Sequence, residues 1–178
     1  DFMKQYGFSL IELLVVTSII MIINQTAMYS IDSTKYWLEP KRLFSAIQEI
    51  RSIAITNNQH TVLCPSSDGH NCIKNWTLPL MMFIDENNNK QRDIDETIIQ
   101  TITPYSGIER TIKYPRSQLH FNGQGHINGF TGTLKYCSEF NKKGIVLSRV
   151  GRTRYIQNLE TEDLNSNPSR QPTCPSIE

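Results

Sequence analysis

The segment Gly7-Phe8-Ser9-Leu10-Ile11-Glu12-Leu13-Leu14-Val15-Val16 opens an apolar run that continues to Ile23 and decides the fold of this chain. One carboxylate, that of Glu12, stands inside the run. An ionisable side chain among Leu, Ile and Val is costly in a bilayer, so we expect it to have a function. Residues 8–23 would form a helix about 24 Å long, somewhat shorter than the ~30 Å hydrocarbon core of a membrane.

Two simple explanations of this segment each leave part of it unexplained. A secretory signal peptide needs small residues at a cleavage site after its apolar region, and residues 24–29 offer no good site of that kind. A plain membrane anchor would explain the length of the run but not the carboxylate of Glu12. Cleavage before the run would instead keep the whole apolar segment in the mature protein.

The pattern behind the apolar run predicts that the helix continues as an amphipathic one. Apolar residues recur three and four positions apart, which places them on one helix face: Leu43, Ile47, Ile50 and Ala54. Asn57 and Asn58 would end the helix, since Asn tolerates the left-handed conformation. Pro40 either kinks this helix or occupies the first turn of a new segment.

The chain after residue 60 changes to short alternating segments separated by turns, the pattern of β-strands. The predicted strands are residues 61–64, 78–84, 97–103, 118–121, 132–137, 144–150 and 153–157. One long helix followed by antiparallel strands predicts an α+β fold in which the helix covers one face of a sheet. The final residues, 160–178, are rich in Asn, Ser, Pro and acidic side chains, and we expect loose order there except at Cys174.

Length and cysteine content limit the class of protein. A chain of 178 residues with a net charge of +1 allows one ordinary domain with an N-terminal extension. Four cysteines behind an exported segment predict two disulfides in an oxidising compartment. Three connectivities are possible, and proximity favours Cys64 with Cys72 and therefore Cys137 with Cys174. A zinc site is disfavoured because neither pair has the close spacing of structural zinc ligands.

The N-terminal segment resembles the processing site of type IV pilins and of type II secretion pseudopilins. In that family a peptidase cuts between Gly and Phe, the new N-terminus is methylated, and a carboxylate follows; Gly7, Phe8 and Glu12 match this pattern. The resemblance implies a leader at residues 1–7, a hydrophobic transmembrane and filament-core helix at 8–34, and a periplasmic pilin domain at 35–178. It also implies that Glu12 pairs with the amine of Phe8 during assembly, because a charge buried in apolar surroundings needs a partner.

Three further motifs resemble the FimT/GspH branch of minor pilins: Leu63-Cys64-Pro65-Ser66, Phe83-Ile84-Asp85-Glu86-Asn87-Asn88-Asn89 and Gly151-Arg152-Thr153-Arg154. Many major pilins have a proline shortly after the apolar run, whereas residues 24–30 have none. The resemblance implies a subunit that is held in the inner membrane by one span and is then assembled into a pilus or pseudopilus. Its implied partners are the prepilin peptidase, other pilin or pseudopilin subunits and DNA.

The most charged part of the predicted domain is the segment of residues 135–154, where six basic residues stand against one acid. The basic residues are Lys135, Lys142, Lys143, Arg149, Arg152 and Arg154. Such density indicates an anionic partner, although a solvated strand face would have the same composition. Arg152 and Arg154 would share one side of an extended strand and could grip successive phosphates, and Gly151 would allow the turn that presents them.

The sequence Gly151-Arg152-Thr153-Arg154 resembles the Gly-Arg-x-Arg motif through which FimT-type minor pilins bind DNA in natural transformation. We therefore expect Arg152 and Arg154 to bind DNA without sequence preference, supported by Gly151, Arg149, Lys142 and Lys143. The alternative is the H-type minor pseudopilin of a type II secretion system. In that structural filament subunit, the same arginines would contact acidic residues of a neighbouring subunit.

Other candidate sites in the sequence are weak. Residues 85–96 place oxygen-bearing side chains at the ligand positions of a calcium loop, but Lys90 stands where that loop requires Gly. A polar hairpin tip is the alternative, because Asn-rich turns are common for backbone reasons. The four histidines form no ligand-spaced cluster, and residues 123–129 lack the spacing of a phosphate loop. The sequence therefore predicts no enzyme, no metal and no cofactor.

Overall fold

The computed structural model of this chain describes residues 9–127, 129–159 and 174, without the side chains of residues 24–33. Gly7 and Phe8, the predicted cleavage and methylation site, lie outside the described residues. The described part contains the helix α1 (Leu10–Asn57) and the strands β1 (His60–Pro65), β2 (Leu80–Asp85), β3 (Ile98–Ile102), β4 (Arg110–Lys113), β5 (Leu119–Phe121), β6 (Gly132–Ser138), β7 (Lys142–Leu147) and β8 (Thr153–Ile156).

The predicted α+β class is confirmed, because one long helix is followed by antiparallel strands. The strands form two sheets, with orders β3-β2-β1-β5 and β4-β6-β7-β8. The sequence pattern predicted a single sheet and missed β4, whose sequence Arg-Thr-Ile-Lys contains one buried apolar residue, Ile112. Alternation identifies a strand but not its neighbours, so the division into two sheets was not visible in the sequence.

Backbone contacts divide the chain into two compact units, Asp1–Lys35 and Tyr36–Glu178. In the first unit the side chains of residues 10–23 are exposed, that of Glu12 among them. Over the described residues, no helical stretch is both long enough and apolar enough to cross a bilayer. The helix continues through Pro40, so this proline does not begin a separate segment.

The core of the second unit combines side chains from α1 and from both sheets. The predicted apolar stripe is confirmed, since Leu43, Ile47, Ile50 and Ala54 are at most 5% exposed. They belong to one cluster with inward side chains of both sheets, which include Leu63, Met82, Leu119, Phe121, Leu134, Tyr136, Ile145 and Leu147. Burial of each large aliphatic side chain contributes about 1.5–3 kcal/mol, so this stripe fixes α1 against the strands.

A buried ionic contact joins α1 to the second sheet beside this core. Glu39 Oε1 lies 2.9 Å from Arg110 Nε of β4, and the two side chains are 6% and 7% exposed. The hydroxyl of Tyr136 in β6 donates to Glu39 Oε2 at 2.9 Å. Arg110 also donates to the carbonyl oxygens of Ile108 and Thr77. Both charges are therefore paired and hydrogen-bonded, the condition under which burial of an ion pair is tolerated.

Two disulfides complete the second unit. Cys64 bonds to Cys72 with a Cα–Cα distance of 5.4 Å, and Cys137 bonds to Cys174 at 5.8 Å. These are the two pairs that proximity in the sequence favours. The first disulfide closes the loop after β1, and the second ties residue 174 to β6.

Candidate nucleic-acid interface

The arginine hairpin, which we define as residues 148–154, contains a tight turn between β7 and β8. The amide of Gly151 donates to the carbonyl of Ser148 at 2.9 Å, and the amide of Ser148 donates to the carbonyl of Arg152 at 3.0 Å. The Ser148 hydroxyl donates to the same carbonyl and accepts from the Arg152 amide, both at 3.1 Å. Gly151 has a φ of +73°, a left-handed conformation that costs a residue with a Cβ about 1–2 kcal/mol.

The turn of the arginine hairpin is seated against α1 and the loop between β5 and β6. A Cβ on Gly151 would overlap the carbonyl oxygen of Gly125 and lie 2.7 Å from Arg51 Nε. Arg51 Nε donates to that same carbonyl at 3.1 Å, and the carbonyl of Arg149 accepts from the amide of Ile127 at 2.9 Å. The backbone that carries the two predicted arginines is therefore held from two sides.

Arg152 and Arg154 are both exposed, whereas Thr153 and Tyr155 are half-buried. The ring of Tyr155 packs edge-on against Phe44 of α1, with centroids 5.5 Å apart. Alternate residues of an extended chain face opposite sides. Since Tyr155 faces α1, Arg154 and, two residues earlier, Arg152 face away from it. Among the described residues β8 is an edge strand of its sheet, so no described strand stands between the arginines and a partner.

The structure does not bring Lys142 and Lys143 to the arginine pair. Arg154 lies opposite Val146, which is four residues from Lys142, or about 13 Å along the strand. Lys143 is buried, its ammonium donates to the carbonyl of Gln157, and it lies 5.0 Å from the ring centroid of Trp37. Burial, together with the nearby charge of Lys41, lowers the pKa of Lys143. The Lys143 side chain therefore makes contacts within the domain and does not extend the basic surface of the arginine pair.

The fold adds two basic residues that the sequence did not single out. Arg51 reaches the turn from α1 through its bond to Gly125. Lys113 lies opposite Lys135, and Lys135 lies opposite Gly144, two residues from the partner of Arg154. Alternation therefore places Lys113 and Lys135 on the same outer face as Arg154. No motif includes Arg51 or Lys113. The fold places Arg51 beside the turn and Lys113 on β4, at the opposite edge of the sheet from β8.

The loop of residues 85–96 uses its carboxylates to hold its own backbone. The two oxygens of Asp85 accept from the amides of Asn89 and Lys90, each at 3.0 Å. Glu96 accepts from the amide of Glu86 at 2.9 Å and from a second amide of the loop at 3.0 Å. Across residues 9–127 and 129–159, no group of three or more His, Cys, Asp or Glu side chains could hold a metal. These carboxylates shape a turn.

Comparisons with known proteins give two family matches. The family model described as type II transport protein GspH matches residues 41–151, and the model of the prokaryotic N-terminal methylation motif matches residues 2–23. The first match ends at Gly151, one residue before the arginine pair. The comparison with curated proteins gave no match.

Two solved structures of one protein are similar to the chain, both of the type IV minor pilin FimU of Pseudomonas aeruginosa strain PAO1. The first, in space group P21, is 15% identical, covers 64% of this chain and 82% of its own, and has a TM-score of 0.48. The second, in space group P65, is 14% identical, with coverages of 65% and 87% and a TM-score of 0.47.

Proposed function

Because the chain belongs to the FimT/GspH family of minor pilins and pseudopilins, we propose that it binds DNA through the arginine hairpin. Arg152 and Arg154 supply the main contacts, and Arg51 and Arg149 flank them. The contacts are made to phosphate oxygens, so the affinity does not depend on the base sequence. The binding serves the capture of DNA for uptake in natural transformation.

The fixed turn at Gly151 is the observation that carries this proposal. A flexible loop would lose conformational freedom on binding, which costs affinity for each long side chain that becomes ordered. Here the turn is held by the Ser148 bonds and by the contact with Gly125, so the two arginines are presented on an ordered backbone. Planar guanidinium groups can donate two parallel hydrogen bonds to a phosphate, which suits Arg at these positions.

DNA binding through the arginine hairpin should weaken measurably as the salt concentration rises. Each phosphate contact releases counterions and contributes about 0.9 to the slope of log affinity against log salt for duplex DNA. Changing both Arg152→Ala and Arg154→Ala should therefore lower that slope by about 1.8 and weaken binding by about tenfold or more. Fluorescence anisotropy of a labelled duplex, titrated with the full chain in mild detergent at several salt concentrations, measures both quantities.

A matched control removes the same charge from other exposed loops. Lys74 and Arg116 are exposed and lie between β1 and β2 and between β4 and β5. The double variant Lys74→Ala, Arg116→Ala has the same net charge as the hairpin variant and should bind DNA with nearly unchanged affinity. If both double variants lose affinity and slope equally, net charge alone drives binding and the hairpin assignment is refuted.

The N-terminal segment supports the second part of the proposal, which concerns processing and assembly. The methylation motif matches residues 2–23, which contain Gly7, Phe8 and Glu12. We infer cleavage after Gly7, methylation of Phe8, and residence of a single-pass subunit in the inner membrane with its domain in the periplasm. Glu12 then pairs with the amine of Phe8 on a neighbouring subunit during assembly. Mass spectrometry of the mature N-terminus should detect methylated Phe, and a terminus created by cleavage after Ala27 would contradict this route.

A pseudopilus subunit is the second candidate, supported by the match to a model described as type II transport protein GspH. In that role Arg152 and Arg154 contact acidic side chains of a neighbouring subunit instead of phosphates. The two candidates make opposite predictions for the purified chain. A pseudopilus subunit shows no hairpin-dependent DNA binding, whereas the same arginine changes would weaken crosslinking between adjacent subunits in the assembled filament.

A further inference from the structure

A polar cavity of about 340 Å³ lies away from the arginine hairpin, between the loop closed by the Cys64–Cys72 disulfide and the loop of residues 85–96. Its lining includes the basic side chains His70, Lys90 and Arg92 and the carboxamides Asn71, Gln91 and Gln118. None of the described residues that line it is acidic. Cationic groups and carboxamides without a carboxylate form the lining expected for an anion that also carries hydroxyl groups.

Arg92 is held in this cavity with part of its hydrogen-bonding capacity unused. Its Nη1 donates to the carbonyl of Gly69 at 3.2 Å and to His70 Nδ1 at 2.8 Å. Since arginine only donates, Nδ1 of His70 is the acceptor, and the proton of the neutral ring is on Nε2. Arg92 Nε is buried and has no hydrogen-bond partner among the described residues. Because this nitrogen is closed off from solvent, a ligand in the cavity would reach the terminal nitrogens of the guanidinium, which can donate to an oxyanion.

The carboxylates of the surrounding loops are not part of the lining: hydrogen bonds from their own loops hold Asp68, Asp85 and Asp93, and Asp85 also lies 3.4 Å from His120. Asp68 accepts from the amides of His70 and Asn71 at 2.8 and 2.9 Å and from the Asn71 side chain at 2.9 Å. These bonds, led by that of the Asn71 amide, hold the pKa of Asp68 well below its ordinary value. Asp85 is fully buried and accepts from two amides. The ammonium nitrogen of Lys90 lies 5.9 Å from the ring centroid of Phe130.

We propose that this cavity binds an acidic saccharide. The carboxylate of the sugar pairs with Arg92 and Lys90, and its hydroxyls exchange hydrogen bonds with the carboxamides of Asn71, Gln91 and Gln118. The volume is at the lower end of the range for small-molecule sites, so the site accommodates about one sugar ring. A free phosphate is also an oxyanion but has no hydroxyl-bearing ring. Binding that depends on the carboxamides therefore distinguishes a saccharide from phosphate.

Calorimetric titration of the full chain in mild detergent with glucuronate, glucose and inorganic phosphate tests the assignment. Glucuronate should bind in the millimolar range and about tenfold more tightly than glucose, because a hydrogen bond to a charged group contributes about 1.5–3 kcal/mol. Arg92→Gln should weaken glucuronate about tenfold or more. Gln118→Ala should weaken glucuronate but leave phosphate unchanged, since only the sugar reaches the carboxamide.

Two further variants keep the test independent of folding and of DNA binding. Arg92 also anchors the Gly69 carbonyl, so Lys90→Gln, at an exposed position, serves as a second variant and should weaken glucuronate several-fold. Arg152→Ala with Arg154→Ala should leave glucuronate binding unchanged. The proposal is overturned if glucuronate binds no better than glucose, or if Lys90→Gln and Arg92→Gln bind it normally. Equal binding of phosphate and glucuronate, both insensitive to Gln118→Ala, overturns the saccharide in favour of a bare oxyanion.

Discussion

Replacing Glu39 with Ala should destabilise the second unit more than any other change to a described polar side chain of α1. The carboxylate pairs with Arg110 at 2.9 Å, and both side chains are at most 7% exposed. Without Glu39, the guanidinium keeps its bonds to two carbonyl oxygens but loses the counter-charge that the described residues give it. Removing one partner of a buried ion pair costs about 3–5 kcal/mol, because the remaining charge stays in a medium of low polarity.

The loss of stability expected for Glu39→Ala includes the hydrogen bond from Tyr136, which can be measured separately. Its hydroxyl donates to the second oxygen of Glu39 at 2.9 Å, and a hydrogen bond to a charged group contributes about 1.5–3 kcal/mol. Tyr136→Phe should therefore cost about half as much as Glu39→Ala. In the double variant the two losses should not add, because the hydroxyl has no carboxylate left to lose.

Urea unfolding of the full chain in mild detergent, followed by tryptophan fluorescence, measures these free energies. Glu49, an exposed carboxylate on the same helix, provides the matched control, and Glu49→Ala should change stability by at most about 0.5 kcal/mol. A loss below about 1 kcal/mol for Glu39→Ala, or strictly additive losses in the double variant, would refute the account of a buried and mutually dependent contact.

Two other changes test the turn of the arginine hairpin and the buried hydroxyl of Tyr136. Gly151→Ala removes no charge but should weaken DNA binding, because the new Cβ displaces the turn from Gly125. Gly107 has a similar φ of +77° with no atom near its Cβ position, so Gly107→Ala should lower stability without affecting DNA binding. Fluorescence anisotropy measures the DNA affinity of both variants, and thermal unfolding measures their stability. Burial, reinforced by Glu39, raises the pKa of Tyr136, so the folded state keeps a proton that the unfolded chain releases near pH 10. Stability should therefore fall above about pH 10 by up to ~1.4 kcal/mol per pH unit for this group, and unfolding titrations of Tyr136→Phe between pH 9 and 11 should show a shallower decline.

The sequence predicted the parts of the fold that depend on periodicity. The apolar stripe of α1 is an example, because burial on one helix face requires a three-and-four spacing that can be read directly. Periodicity gives no sign of Glu39, a carboxylate whose burial depends on Arg110 and Tyr136 in distant strands. The density of basic residues in the sequence grouped Lys143 with the arginines, but it does not show that this side chain is buried and bonded to the carbonyl of Gln157.

The candidate DNA interface shows why a motif does not by itself define a site. Arg152 and Arg154 are recognisable in the sequence, but the turn that presents them depends on the carbonyl of Gly125 and on Arg51, which bonds to it. A side chain at Gly125 would meet Ile55 and Arg51, so two separated glycines allow the hairpin to approach the helix. The same arginine motif would therefore be presented differently in a chain with a larger residue at either glycine, because the hairpin would have to move away from α1.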